Sequence, residues 1–201
     1  MKKFISTVRN IFSIEDLRVR IVNTIGFLII FRLGSFIVLP GVDPSKLGSA
    51  PEGIFGLIDT FLGGAFSNAS IFGLGIMPYI SASIVLQLLT VGVPYFQKMQ
   101  KDGESGRKRI NQITRVLTIA ITIAQGIGYI TATILPTGAV MIDTSLFMFS
   151  SLVLLSAGTM FCMWLGENIT EKGIGNGISM LIMIGIVSRF PTALYLEATG
   201  K

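Results

Sequence analysis

The sequence predicts an all-α, polytopic membrane protein with five transmembrane helices, the second of them broken. Three observations support this fold class. Of the 201 residues, 51% are hydrophobic and only 13% are charged, with a mean hydropathy of +0.72. Most of the basic residues lie in two clusters. Between and after these clusters the sequence has long charge-free runs, each able to hold a membrane span or most of one. A soluble globular domain does not have this composition.

The five spans follow from the length that a membrane helix requires. A helix needs about 20 apolar residues to cross about 30 Å of hydrocarbon. The sequence therefore predicts an amino-terminal segment at 1–20, span 1 at 21–39, an external loop at 40–70, span 2 at 71–93, a basic cytoplasmic loop at 94–112, span 3 at 113–134, span 4 at 145–166, span 5 at 177–194 and an external tail at 195–201. Span 1 is expected to stay in the mature protein, because no small-residue cleavage site follows it.

The second span is predicted to be broken. The charge-free run at 60–97 has 38 residues, and its first half contains several helix breakers, namely Gly63, Gly64, Gly73, Gly75 and Pro78. Pro78 suits the first turn of a new helix. Non-helical backbone before it, at membrane depth, must be buried in protein or line a wet cavity. The pattern leaves two interpretations open: a pathway through the membrane, or a re-entrant loop or interfacial helix that caps the bundle.

The distribution of basic residues predicts the orientation. Eleven of the 16 Lys and Arg residues lie in two segments, 1–20 and 94–115. Two spans separate these segments, so both lie on one side, and the positive-inside rule makes that side cytoplasmic. The net charge of +5 is then mainly a topology signal, with a smaller share for acidic lipid or an acidic partner. Nucleic acid is the weaker interpretation.

Few polar side chains fall within the predicted spans. Arg32 and Arg189 are expected to snorkel towards the outer interface as anchors. Gln87, Thr90 and Gln125 lie near mid-span, where each needs a hydrogen-bond partner. For Thr90 the simplest partner is a carbonyl of its own helix, that of Leu86.

Several classes of chemistry are excluded by missing residues. The chain has no histidine, so it lacks Ser-His-Asp and Cys-His catalysis and the usual zinc sites, and its single cysteine, Cys162, cannot form an internal disulfide. There is no phosphate-binding Gly-x-x-x-x-Gly-Lys loop. We therefore predict no enzymatic activity, no metal and no cofactor. The best alternative function is half of an inverted-repeat secondary transporter for a small solute, although no carboxylate lies in any predicted span.

Four blocks of sequence resemble the SecY family, the pore subunits of the bacterial Sec translocon. The blocks are FRLGSFIVLPGVD at 31–43, ASIFGLGIMPYISASIVLQLLT at 69–90, KDGESGRKRINQITR at 101–115 and TMFCMWLGENITEKGIGNGIS at 159–179. They occur in order and cover most of the chain. The resemblance implies the first half of an inverted-repeat, ten-helix channel in the bacterial cytoplasmic membrane, with a cytoplasmic amino terminus. The chain departs from the family pattern, because it stops after five of the family's ten spans.

The resemblance also implies a function and partners. The function is export of unfolded preproteins across the membrane and lateral insertion of helices into it. The implied partners are the SecE and SecG subunits, the SecA motor, the ribosome, signal-sequence-bearing preproteins and membrane lipid, with no direct nucleic acid contact apart from the ribosome.

Functional residues can be assigned by the same resemblance. It implies a plug that closes the external funnel and, being uncharged and rich in small residues, packs without locking: Phe61, Leu62, Gly63, Gly64, Ala65, Phe66, Ser67, Asn68, Ala69 and Ser70. It implies an apolar pore ring of Ile80, Ile84, Ile178 and Ile182, which pattern alone would assign to lipid contact or packing. The implied lateral gate contains Gln87, Thr90 and Gln125, and the implied contact with cytoplasmic partners contains Arg107, Lys108 and Arg109.

Overall fold

The computed structural model describes residues 13–47 and 53–198 of the chain. Its helices, in chain order, are α1 (Glu15–Gly34), α2 (Ile54–Phe61), α3 (Met77–Gly92), α4 (Pro94–Lys101), α5 (Gly103–Tyr129), α6 (Thr144–Lys172) and α7 (Gly177–Ala198). A 3-10 turn, Pro44–Lys46, precedes α2, and α5 continues through a π-helical turn, Ile130–Ile134, into the 3-10 turn Leu135–Thr137. The described residues form no strand, only the isolated bridges Val38 with Ser70 and Val42 with Val140. The predicted all-α fold class is confirmed.

Two helical stretches are long and apolar enough on their own to cross a membrane. They are Gly103–Thr137, with 35 residues, and Thr144–Lys172, with 29. The pair α3 and α4 is a third candidate, bent by 98° at its break. Helix α1 carries several charges, and the apolar part of α7, Gly177–Pro191, is shorter. By length and composition the described residues contain two or three spans, and the count of five stays a prediction.

Local chemistry determines where the long helices begin and end. Pro78 lies in the first turn of α3, where its missing N–H leaves no hydrogen bond unmade. Asp143 caps α6, because its carboxylate accepts hydrogen bonds from the backbone N–H groups of Ser145 (3.1 Å) and Leu146 (3.2 Å). Gly138, in the left-handed conformation with φ of 64°, follows the last turn after α5.

The helices differ from the predicted spans mostly at their polar ends. Helix α1 begins at Glu15, before the predicted start at residue 21, and ends at Gly34, before residue 39. Helix α6 continues to Lys172, beyond residue 166. Hydropathy marks only the part of a helix that suits hydrocarbon, whereas helical hydrogen bonding continues through polar residues of high helix propensity.

The basic segment 94–112, expected as a loop, is helical and forms α4 and the first part of α5. Pro94 starts α4 after the bend, and Gly103, with φ of 68°, turns the chain into α5. Lys, Arg, Gln and Glu are good helix formers, and Glu104 pairs with Lys108 one turn later at 3.1 Å. The segment is too polar to be read as a membrane span but keeps its helix propensity, which explains the difference.

Two clusters of buried side chains form the core, one on each side of the non-helical chain between α2 and α3. The first contains side chains of this non-helical stretch, of α5 and of α6, among them Phe66, Tyr129 and Phe147. The second joins α1, α6 and α7 through Phe31, Leu165 and Leu181, with Phe72 stacked on Phe31 at 5.9 Å between ring centres. The non-helical chain is therefore surrounded by helices.

Candidate functional site

The chain from residue 62 to residue 76, called here the linking segment, is non-helical and largely buried. Ala65, Ala69 and Ser70 are at most 1% exposed. The segment's backbone groups find partners nearby: Leu39 N–H donates to the Ala69 carbonyl at 2.8 Å, and Ile71 N–H donates to the Ile37 carbonyl at 2.9 Å. Irregular backbone is tolerated in a membrane protein where it is enclosed and paired in this way.

An ion pair connects α2, the linking segment and α7. The Asp59 carboxylate accepts one hydrogen bond from the backbone N–H of Ser67 at 2.8 Å and another from Nη2 of Arg189. The same Arg189 nitrogen donates to the Ser67 hydroxyl at 3.1 Å. The Asp59 side chain is 1% exposed and that of Arg189 is 33% exposed. The negative charge is thus fully enclosed, while the arginine remains partly accessible.

A second arginine holds the next turn of the segment. Nη1 of Arg32 on α1 donates to the Gly63 carbonyl at 2.6 Å, and its guanidinium lies 4.7 Å from the centre of the Phe36 ring. A side chain at Gly63 would meet Arg32 at 2.9 Å, and one at Gly64 would meet Nη2 of Arg189 at 2.8 Å. Both glycines have positive φ, so backbone conformation and space each require glycine here.

The far side of the linking segment rests on α5. The Tyr129 hydroxyl donates to the Phe66 carbonyl at 2.6 Å, and the two rings lie 4.5 Å apart between centres. Tyr129 and Phe66 are both buried. The segment is therefore held by side chains from α1, α5 and α7.

These contacts correct one expectation. Arg32 and Arg189 point inward to the linking segment rather than outward as interface anchors, because buried carbonyl and carboxylate oxygens offer them partners. Asp59 lies outside the predicted spans, in the loop expected at 40–70, and its side chain is buried. Several hydrogen bonds hold the segment that is predicted as a plug.

No local pattern in the sequence reveals the Asp59–Arg189 pair, because 130 residues separate its members. The available signal was two isolated charges at the edges of apolar runs. Opposite charges in such places have reason to meet, since each is costly to bury alone.

The four pore-ring isoleucines differ in their surroundings. Ile80 on α3 and both Ile178 and Ile182 on α7 pack, partly buried, against the second core cluster. Ile84, one turn beyond Ile80, is 51% exposed. The structure thus brings three of the four to one cluster and leaves the fourth on a free face of α3.

No hydrogen bond between two side chains joins the three lateral-gate residues. Thr90 is buried, and its hydroxyl donates to the Gln87 carbonyl at 2.7 Å rather than to that of Leu86. The Gln87 amide is exposed and donates to the Ser83 hydroxyl at 3.3 Å. Gln125 is exposed on α5.

A polar cavity of about 310 Å³ opens between α3, α4 and the first part of α5. Gln87, Thr90, Gln100, Arg107 and Asn111 are among its lining residues. Lys108 and Arg109, next to Arg107, are exposed. The cavity therefore joins the predicted gate residues to the predicted basic contact surface.

A further ion pair lies beside a neighbouring cavity of about 250 Å³, lined in part by Tyr79 and Ile178. Arg115 on α5 donates through one nitrogen to both carboxylate oxygens of Glu167 on α6, at 2.8 and 3.1 Å. Across 13–47 and 53–198, no group of three or more metal-ligating side chains comes together.

A sequence model of the SecY family matches residues 70–199. The protein translocase subunit SecY of Escherichia coli K12 is 50% identical over 191 residues, covering 90% of this chain and 43% of that protein. The SecY subunit of Streptomyces coelicolor is 41% identical over 199 residues, covering 92% of this chain and 46% of that protein. The chain spans about half the length of the curated relatives that it matches.

Solved channel structures share the fold. Sec61 in the canine ribosome-channel complex gives a TM-score of 0.60 at 21% identity, covering 86% of this chain and 36% of that one. A SecY structure concerned with the plug domain gives 0.56 at 20% identity, covering 92% and 38%. The SecY sequence matches do not favour the transporter alternative.

Proposed function

This chain belongs to the SecY family, and we propose that it supplies the amino-terminal half of a protein-conducting channel. The channel would carry unfolded preproteins across the bacterial cytoplasmic membrane and release apolar helices into the lipid. The observation that carries the proposal is the buried, non-helical linking segment held between α1, α5 and α7. Irregular backbone at membrane depth must be buried in protein or line a cavity, and a segment of this kind that leaves its place would open a path between the helices.

In this proposal, residues 61–70 form the plug. Phe61 is the last residue of α2, residues 62–70 lie mostly buried between helices, and turn-forming glycines keep them compact without a helix of their own. Residues 62–70 can therefore leave without unfolding a helix. Its removal would leave a path bordered by α1, α5 and α7.

Below the plug, Ile80, Ile84, Ile178 and Ile182 would line the constriction. Branched aliphatic side chains around a narrow gap exclude water and ions by dewetting, yet deform around a passing chain. Ile80, Ile178 and Ile182 already border one cluster. The exposed face of Ile84 would meet residues contributed by the other half of the channel.

Helices α3 and α5 would form one side of the lateral gate. Buried Thr90 supports this role, together with the polar cavity it shares with Gln87. A signal sequence would open the gate by burying its own apolar surface, which stabilises by roughly 25 cal/mol per Å². Replacing Thr90 and Gln125 by Leu should then change the acceptance of weak signal sequences, and unchanged export of them would contradict the gate.

The cytoplasmic face would carry the partner contacts. Exposed Arg107, Lys108 and Arg109 form a basic surface at the start of α5 that suits the SecA motor or the ribosome. The canine structural relative is described as part of a ribosome-channel complex. SecE and SecG would complete the channel in the membrane, and the amino terminus would be cytoplasmic.

Site-specific crosslinking tests the pathway. In a chimeric channel, this chain replaces the matching part of the Escherichia coli relative, and a photoreactive residue stands at Ile80 or Ile178. Both positions should capture a stalled export substrate, whereas Val153 on α6, which is 54% exposed and belongs to neither pore-ring helix, should capture lipid instead. Equal capture at all three positions, or none at Ile80 and Ile178, would refute the proposed pathway.

A further inference from the structure

We propose that Asp59 and Arg189 form a latch that holds the linking segment in place and sets how readily it leaves. The inference rests on the proposed function, because it treats residues 61–70 as the closing element of a channel. It assigns a positioning role to two residues outside the predicted plug, pore ring and gate. Asp59 belongs to α2 and Arg189 to α7.

The latch connects three parts of the chain through one guanidinium group. Nη2 of Arg189 donates to the Asp59 carboxylate and to the Ser67 hydroxyl, the latter at 3.1 Å. The other carboxylate oxygen of Asp59 accepts from the Ser67 backbone N–H at 2.8 Å. Both ends of the turn from Asp59 to Ser67 are therefore fixed to α7, and the segment cannot move away without breaking these bonds.

Close packing keeps the arginine in this position. Gly185, one turn before Arg189, brings the α7 backbone against the Phe61 carbonyl, where any side chain would overlap that oxygen. Gly64 leaves the space that Nη2 of Arg189 occupies, since a side chain there would lie 2.8 Å from it. Gly185 on α7 and Gly64 in the linking segment therefore let the two elements pack closely around the Arg189 guanidinium. The ion pair depends on this close packing, unlike a pair on the surface.

The burial of Asp59 makes the latch sensitive to water. An enclosed carboxylate without its partner is strongly disfavoured, so the dry, closed arrangement holds the pair together. Once the segment begins to leave and water enters, both charges become solvated and their mutual attraction weakens. The latch therefore resists the first displacement most and contributes little afterwards, which is the behaviour of a threshold.

Arg32 is a different kind of contact. It donates to a neutral carbonyl, that of Gly63, at 2.6 Å. Its loss leaves no unpaired buried charge, because the acceptor is a neutral carbonyl. The threshold belongs to Asp59 and Arg189, and Arg32 adds an ordinary hydrogen bond to the closed state.

Cysteine labelling in membranes tests the latch in the full 201-residue chain. Ser70, which is fully buried, becomes the reporter through Ser70→Cys, and Cys162→Ala removes the chain's other thiol. Against this background, Asp59→Asn and Arg189→Gln should each raise the labelling rate by a membrane-impermeant maleimide about tenfold or more. The double variant should label no faster than the faster single variant, because it leaves no charge unpaired.

Two controls keep the result interpretable. Glu104→Gln removes a carboxylate from an exposed ion pair, with side chains 74% and 84% exposed, and should leave labelling unchanged. Arg189→Lys keeps the charge but loses the fork that reaches both Asp59 and Ser67, and should give an intermediate rate. If Arg189→Lys and both single variants label at the background rate, the latch is refuted.

The chimeric channel separates this inference from the proposed function. Faster labelling together with a raised ion leak supports both. Faster labelling without a leak supports the latch and refutes the closing role of the segment. Unchanged labelling, with a leak on deletion of residues 61–70, refutes the latch and supports the plug.

Discussion

At the scale of single residues, the linking segment depends on positions where only glycine fits. Gly64 combines a φ of 94° with a guanidinium nitrogen 2.8 Å from where a side chain would begin. Ala at this position would meet both the left-handed conformation and the Arg189 side chain. The requirement comes from the arginine as much as from the turn.

We expect Gly64→Ala to lower the free energy of unfolding in detergent by about 1–3 kcal/mol, through backbone strain and displacement of Arg189. Gly128→Ala is the matched control, because Gly128 lies on the exposed face of α5 with nothing within 4 Å of the added carbon. The control should stabilise the chain by about 0.5–1 kcal/mol through helix propensity. Similar losses for both variants would contradict the prediction.

Tyr129 holds the segment from α5 by one short hydrogen bond to the Phe66 carbonyl, at 2.6 Å. Tyr129→Phe keeps the ring packing and removes this hydrogen bond, so the Phe66 carbonyl keeps only the longer bond from the Ala69 N–H, at 3.2 Å. We expect a loss of about 1–3 kcal/mol in the free energy of unfolding, measured by denaturant titration in detergent. Tyr95→Phe, at a side chain that is 65% exposed, should change it by less than about 0.5 kcal/mol.

Residue-level prediction from sequence succeeded where chemistry is local and stopped where partners are distant. Pro78 and the glycines of the linking segment are readable because each restricts its own backbone. The inward turn of Arg32 and Arg189 was not readable. An arginine near the end of a span can reach either the interface or a buried acceptor, and the choice depends on Gly63 and Asp59 lying opposite.

At the scale of helices, close approach is what encloses the linking segment. Gly158 on α6 lies against the Ile71 carbonyl, and a side chain there would overlap that oxygen. Gly34 on α1 likewise faces the Phe72 ring. Small residues thus let α1 and α6 contact irregular backbone directly, as they let membrane helices contact each other.

Gly158→Ala should push α6 away from Ile71 and lower the free energy of unfolding by about 1–3 kcal/mol, since the neighbour is backbone and cannot rotate aside. The measurement is again denaturant titration in detergent. Gly26→Ala on α1, with nothing within 4 Å of the added carbon, is the control and should be neutral or stabilising. Equal behaviour of the two variants would show that the α6 contact is not tight.

The helices themselves show what hydropathy can and cannot establish. It located the apolar stretches that became α3, α5, α6 and α7, because burial in lipid requires about 20 apolar residues in sequence. It did not reveal α4 or the basic start of α5, where helix propensity acts in a stretch too polar to suit hydrocarbon. The π-helical turn at Ile130–Ile134 also left no pattern, because the residues of ITATI suit an ordinary helix equally well.

At the scale of the whole molecule, the fold class and the family could be predicted, and the internal architecture could not. Composition restricts the chain to a membrane bundle, and four ordered blocks identify the family. Which faces of the helices meet depends on pairs far apart in sequence, such as Arg115 with Glu167 and Arg32 with Gly63. Hydropathy carries no information about such pairs.

The orientation of the whole chain is the remaining prediction that its charges make. With Arg107, Lys108 and Arg109 held cytoplasmic and five spans in all, alkaline phosphatase fused after Lys201 should be active outside the membrane, and a fusion after Lys101 should be inactive. Replacing the three basic residues by Gln should weaken this contrast, because they carry part of the orienting signal. Glu104→Gln, in the same turn, should leave the contrast unchanged, since acidic residues contribute little to orientation.

Two outcomes would contradict the predicted topology. An inactive fusion after Lys201 with an active one after Lys101 would invert it, and two inactive fusions would require an even number of spans. The inverted topology would place the α2 end of the linking segment on the cytoplasmic side, so the proposed plug could not close an external funnel.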